Sequence, residues 1–215
     1  METASDTELE GFARGARAFL EDLSRYNTRA WFRENKSRYD AEVKRPAETL
    51  VASVASGLED AHGLPVHGKV FRPHRDIRFS DDKTPFFTHL HAAWSVPDGR
   101  GWYFGLSPSY ASAGGGVMQF DEEQAAHWRG AVDGPAGAAL EAALAVPGAR
   151  LDPPDLDEVP EPYPDDHPRA DLLRRRGCLL WLDDLFEPLD RDPAAGLLDA
   201  FDRIAPLQRW LGEHL

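Results

Sequence analysis

Between Val70 and Trp94 the chain reads VFRPHRDIRFSDDKTPFFTHLHAAW, its densest gathering of reactive side chains. Arg72, Arg75, Asp76, Arg78, Ser80, Asp81, Asp82, Lys83 and Thr88 follow one another there, with His74, His89 and His91 among them. Guanidinium groups offer paired donors that fit a carboxylate or phosphate, and lysine adds a compact charge. Such a cluster has two uses. Cations left unpaired can clamp a small anion. Alternatively, Asp76, Asp81 and Asp82 neutralise the cations and pin strand to loop, because buried arginines are kept only when paired. Period-two counting over residues 71 to 79 puts Arg72, His74, Asp76 and Arg78 on one strand face and Arg75, Ile77 and Phe79 on the other. Asp76, between two arginines, is the expected buried counter-ion.

Other residues suggest weaker chemistry. His89 and His91 share a strand face, as a two-histidine metal site needs, with Asp76, Asp82 or Asp166-His167 available to complete it. The chain has no HExxH or CxxC pattern, so neither a metal nor another cofactor is expected. In Asp166-His167-Pro168 the carboxylate could fix the imidazole tautomer for general-base work. The same tripeptide also suits a helix start, with proline in the first turn and acids before it. No Gly-x-Ser-x-Gly motif supplies a nucleophile. Gly114-Gly115-Gly116 lacks the Gly-Lys-Ser/Thr ending of a phosphate loop, and Asp121-Glu122-Glu123 fills the next helix start with negative charge. Cys178 sits in the run Cys178-Leu179-Leu180-Trp181-Leu182 and reads as a buried small hydrophobe.

Composition restricts the partners. With 37 acids against 24 bases over 215 residues, the net charge is -13. Such a surface repels nucleic acid and anionic membranes as a whole, so any phosphate contact must be local. One cysteine excludes an internal disulfide. With no leader-like or membrane-length apolar run, a soluble cytoplasmic protein is expected.

The elements that must position these residues follow from periodicity. Residues 7 to 25 read as an amphipathic helix after a flexible 1–6 segment. Asn27 or Thr28 caps a second helix bearing Trp31, Asn35, Tyr39 and Val43, with Glu34 and Arg38 as an i,i+4 pair. A third helix runs to about Asp60 with Pro46 in its first turn. Strands are expected from Lys69 to Phe79, over 88–96, 101–107 and 109–118, and over 178–183, with a hairpin at Pro97-Asp98-Gly99-Arg100. Helices are expected over 121–132 and 136–146, from Pro168 to Arg176, and from Asp192, kinking at Ala205-Pro206. Residues 152–168 hold six prolines and seven carboxylates and read as an extended acidic loop. The order helices, strands, helices predicts one α+β domain over 1–215. Its largely antiparallel central sheet, about residues 69–118 plus 178–183, is flanked by N-terminal and C-terminal helices. Trp31, Trp210 and Phe79 are expected inside its core.

The combination resembles the uncharacterised family named domain of unknown function 2461. The matching pieces are Phe19-Leu20, Asn27-Thr28-Arg29-Ala30-Trp31-Phe32, Asn35-Lys36-Ser37-Arg38-Tyr39 and Pro46. Phe71-Arg72, Arg75-Asp76-Ile77-Arg78-Phe79-Ser80 and Asp82-Lys83-Thr84-Pro85 follow, then Gly114-Gly115-Gly116, Asp166-His167-Pro168, Ala205-Pro206-Leu207 and Arg209-Trp210-Leu211. The resemblance implies a fold and a compartment and brings no reaction with it. This chain departs from the family at Phe86-Phe87, where similar proteins read tyrosine then lysine, and at Glu161-Pro162-Tyr163-Pro164-Asp165, where they are more basic. Both changes subtract positive potential. Two functions follow. One is a protein or enzyme of undetermined activity that binds a small anion, carboxylate or phosphate, by Arg72, Arg75, Asp76, Arg78, Ser80, Asp82 and Lys83 with Asp166 and His167. The other is an interaction module with a structural arginine cluster, whose acidic loop meets a basic partner.

Overall fold

The structure, a computed structural model, describes residues 9–215; the expected flexible segment over 1–6 lies outside the described residues. Helix α1 (Phe12–Arg25) buries Phe12, Ala16, Phe19, Leu20 and Leu23 along one stripe, as their spacing requires. Thr28 caps α2 (Arg29–Glu34) by accepting the Trp31 N–H. Helix α3 (Lys36–Tyr39) passes through a π-helical turn (Asp40–Lys44) into α4 (Arg45–His62). Pro46 has no N–H to give, and its ring crowds the carbonyl four residues back. The wider π turn falls at that place. Gly63, with φ 65°, ends α4. Arg38 pairs with Asp22 and Glu42 rather than with Glu34.

Six strands form one open sheet in the order β1-β2-β3-β4-β6-β5. They are β1 (His67–Val70), β2 (Leu90–Ser95), β3 (Gly101–Leu106), β4 (Ala111–Val117), β5 (Ala149–Leu151) and β6 (Cys178–Leu182). Val96 N–H closes the β2–β3 hairpin on the Arg100 carbonyl at 3.1 Å, where Pro97-Asp98-Gly99 predicts the turn. Strand β5 pairs antiparallel with β6, Arg150 opposite Trp181. The α+β class and antiparallel sheet agree with the sequence reading.

The chain forms two compact units, one from the described residues to Trp94 with Tyr103–Ala113 and Asp183–Asp199, the other from Ser95–Trp102, Gly114–Leu182 and Ala200–Leu215. The first holds α1 to α4, β1 and α8 (Phe186–Arg191), and its core includes Phe19, Leu50, Val54 and Trp94, whose indole N–H reaches the Val51 carbonyl at 2.9 Å. The second holds α5 (Glu122–Asp133), α6 (Ala136–Leu144), β5, α7 (Ala170–Leu173) and β6 around Trp128, Leu140, Leu173 and Leu180. Gly116 has φ 141°, and a Cβ there would lie 1.9 Å from the Cys178 carbonyl, so only glycine lets β4 and β6 pair at this point. Cys178 is buried.

Several expectations change. Residues 71 to 79 are not a strand: β1 stops at Val70 and a single bridge, His74 to Phe86, follows. Pro73 cannot donate to a ladder, and the Asp76 carboxylate accepts the Arg78 N–H at 3.2 Å, turning the chain out of the extended path. Phe79 at that turn is 96% exposed, not in the core, whereas Trp210 is buried and Trp31 half-buried. Strand β5 and helix α8 arise where none was expected. Helix α7 begins at Ala170, not Pro168, and α9 (Pro193–His214) continues through Pro206.

Candidate anion-binding groove

The base of the arginine-rich loop is firmly held. Arg75 N–H bonds to the Pro85 carbonyl at 3.0 Å and Phe87 N–H to the Pro73 carbonyl at 2.7 Å, a short ribbon leaving the sheet. The Asn27 side chain grips both backbone groups of Phe86, at 2.9 and 3.2 Å. The Phe86 ring stacks on Phe32, centroids 4.1 Å apart, with His74 packed edge-on.

Beyond this base most predicted site residues shape the loop itself. Arg75, its side chain 20% exposed, pairs with Asp82, donates to Thr84 Oγ1 at 2.6 Å and lies 5.6 Å over the Phe87 ring. Its Nη2 reaches Ser80 Oγ at 3.4 Å. Asp82 also accepts the Thr84 backbone and hydroxyl; the Thr84 N–H above all, then Arg75, holds its carboxyl down to about 2. Arg78 grips Asp76 through Nε at 2.9 Å and Nη2 at 2.6 Å, and that pairing keeps Asp76 below the usual carboxylate range. Asp76 is therefore a counter-ion, as expected. However, the pair is 76% and 60% exposed, not buried. Lys83 donates to the Ile77 carbonyl at 3.1 Å.

Arg72 differs. It is exposed and makes no hydrogen bond or close ion pair among the described residues, though its charge helps to hold the Asp76 carboxyl down. Its side chain borders an open groove of about 250 Å³ lined by Phe32, Lys36, Tyr39, Lys44, Phe71 and His74, among others. Every element near it contributes. In a straight α-helix Lys36 and Lys44, eight residues apart, would point about 80° away from each other, and absorbing one residue in the π turn reduces this to roughly 20°. Both lysines thus line the same groove. Lys36 is held by Asp40 and lies 5.6 Å over the Tyr39 ring, and Lys44 faces Glu48 at 3.8 Å. Burial first, then Asp40 and Glu48, push the Tyr39 hydroxyl up to about 12, so it stays a protonated donor.

A second constellation lies on the sheet. The imidazoles of His89 and His91 stack with centroids 3.9 Å apart, Phe87 stacks on His89 at 4.9 Å, and His91 Nε2 meets the Tyr110 hydroxyl at 2.9 Å. Gly105 makes room, since a Cβ there would come within 3.0 Å of the Tyr110 ring and 3.3 Å of His91. Burial, then His89, lower His91 to about 4, so the ring is neutral at physiological pH. Ser112 donates to Asp183 at 2.5 Å on the strand beyond Gly105. Sequence reasoning missed Tyr110, Ser112 and Asp183. Counting residue pairs across the two hairpins would have aligned His91, Gly105 and Ser112. Among the described residues no group of three or more His, Cys, Asp or Glu is placed to hold a metal ion.

Asp166 and His167 belong to the second unit. The carboxylate that meets His167 is Asp133, at 3.2 Å from Nε2, not Asp166, which is exposed. His167 Nδ1 accepts the Arg169 N–H at 3.0 Å, so both ring nitrogens are engaged and the proton sits on Nε2. With both occupied, this imidazole has no nitrogen left to act as a base.

No helix among the described residues is long and apolar enough to cross a membrane. The profile of a family described as conserved hypothetical protein (DUF2461) matches residues 16–210. No curated protein and no solved structure matches the chain.

Proposed function

The chain belongs to the conserved hypothetical protein family DUF2461, and we propose that it binds a small anion in the groove bordered by Arg72. The observation carrying this reading is that Arg72, alone among the loop's three arginines and Lys83, makes no hydrogen bond or close ion pair among the described residues, acting on Asp76 through charge alone, and it stands at a groove. An unpaired guanidinium offers two parallel donors to a carboxylate or phosphate. Lys36, Lys44 and the Tyr39 hydroxyl add donors around the same rim. The groove's lining holds no carboxylate except Glu48, which is turned to Lys44, and it holds no hydroxyl or thiol paired with a base. The role is therefore binding, with no reaction assigned.

Thermal denaturation of the full chain in acetate and in inorganic phosphate tests the reading. The midpoint should rise with anion concentration in the wild type and in Arg78→Gln, and the response should vanish in Arg72→Gln. A response that survives Arg72→Gln overturns the assignment. The function would then pass to the second reading, an interaction module, which Phe79 favours by standing fully in solvent at the loop tip.

A further inference from the structure

Resting on that reading, we infer that the anion is a planar monocarboxylate, an aromatic acid, rather than a phosphate ester or polyphosphate. The argument is one of charge, surface and size. Three cations line the groove; Asp40 holds Lys36 and Glu48 faces Lys44 at 3.8 Å, so Arg72, which acts on Asp76 through charge alone while Arg78 grips that carboxylate, carries the least compensated positive charge. A singly charged carboxylate matches that charge and the fork of one guanidinium. A phosphate monoester carries nearly two negative charges at neutral pH and would have to draw a lysine from its own carboxylate.

The walls supply the other half. Phe32, Tyr39, Val70, Phe71 and Pro73 make the lining chiefly apolar and aromatic, with His74 beside them. Phe71 remains 44% exposed, with the Lys69 ammonium 4.4 Å from its ring centroid, and offers apolar surface that a flat ligand ring would cover. At about 250 Å³ the groove is smaller than the ~300 Å³ at which drug-sized sites begin, which suits a single ring bearing one acid group. An aromatic-walled groove could also hold a quaternary ammonium ion, but the rim of Lys36, Lys44 and Arg72 repels a cation.

Isothermal titration of the full chain at neutral pH with benzoate, acetate, phosphate and pyrophosphate tests the inference, using the wild type, Arg72→Gln, Arg72→Lys and Phe71→Ser. Both residues are exposed, so all variants should fold. Benzoate should bind about tenfold tighter than acetate, the effect of covering part of one ring face. Phe71→Ser should erase that preference and leave acetate unchanged. Arg72→Lys should weaken both carboxylates, and Arg72→Gln should abolish both. Tighter, Arg72-dependent binding of phosphate or pyrophosphate than of benzoate would overturn the aromatic-acid inference while leaving the anion site standing. Benzoate no tighter than acetate would do the same. Binding indifferent to Arg72, or no binding of any probe, would remove the anion site itself.

Discussion

Arg75 and Arg78 carry the same charge three residues apart, yet the loop depends on them unequally. Arg75 is mostly covered and joins Asp82, Thr84, Ser80 and the Phe87 ring, whereas Arg78 meets the exposed Asp76 and lies over the exposed Phe79 ring. Exposed pairs lose most of their attraction to solvent and to side-chain entropy. Arg75→Met should therefore lower the urea midpoint clearly, and Arg78→Met and Asp76→Asn should leave it near wild type; equal losses in all three would refute this ranking. The sequence marked all these residues as a cluster but could not divide them. Division depends on a turn in which Asp76 accepts the Arg78 N–H, and period-two counting treats that segment as straight. Arg72 is singled out only because its neighbours find partners elsewhere.

The glycines separate helix from sheet at the scale of the element. Gly116 meets a carbonyl of the neighbouring strand and has left-handed backbone, whereas Gly130, exposed within α5, has nothing within 4 Å of its missing Cβ. Gly116→Ala should destabilise by roughly 2 kcal/mol or more, from strain and strand separation together. Gly130→Ala should stabilise by about 0.5–1 kcal/mol, the helix propensity difference. Chemical denaturation of the two variants should give shifts of opposite sign; a neutral Gly116→Ala would show that β4 and β6 can part without loss. The triple glycine lies inside β4, which runs unbroken from Ala111 to Val117, and the close approach of Cys178 that requires Gly116 could not be seen in the sequence. The π turn was not legible, since Pro46 predicts some break and does not specify that one extra residue is absorbed before it. That extra residue aligns Lys36 with Lys44. Helix α9 shows the converse: Pro206 predicts a kink, but the buried Phe201, Ile204, Leu207 and Leu211 keep the helix in phase through it.

For the whole molecule, acid stability joins these features. His91 has a folded pKa of about 4 against an ordinary 6.5, with burial the main cause. Above about pH 6.5 neither the folded nor the unfolded form holds the proton. From about 6.5 down to about 4 the unfolded chain binds it and the folded chain does not, so stability falls with pH and stops falling below about 4. The full shift corresponds to about 3 kcal/mol, and partial solvent access reduces this to about 1–2 kcal/mol. His89 is shifted in the same direction, by burial and then Arg75, and Asp82 acts only in a lower window. His91→Gln, which can keep a bond to Tyr110, should flatten the stability curve between about pH 6.5 and 4; an unchanged slope would mean the ring titrates freely. The α+β architecture was readable from the order of periodicities, and the acidic surface from composition. That His89 and His91 share a face was readable from their spacing, but their burial was not, because it comes from Gly105 on β3 and from Tyr110 just before β4. Finally, the burial of Cys178 bears on labelling. Its thiol, pushed up to about 12 by burial, yields almost no thiolate at neutral pH. The wild-type chain is thus chemically silent toward maleimides, and a cysteine placed at Phe79 would be the sole attachment point for a probe, with the native residue left in place.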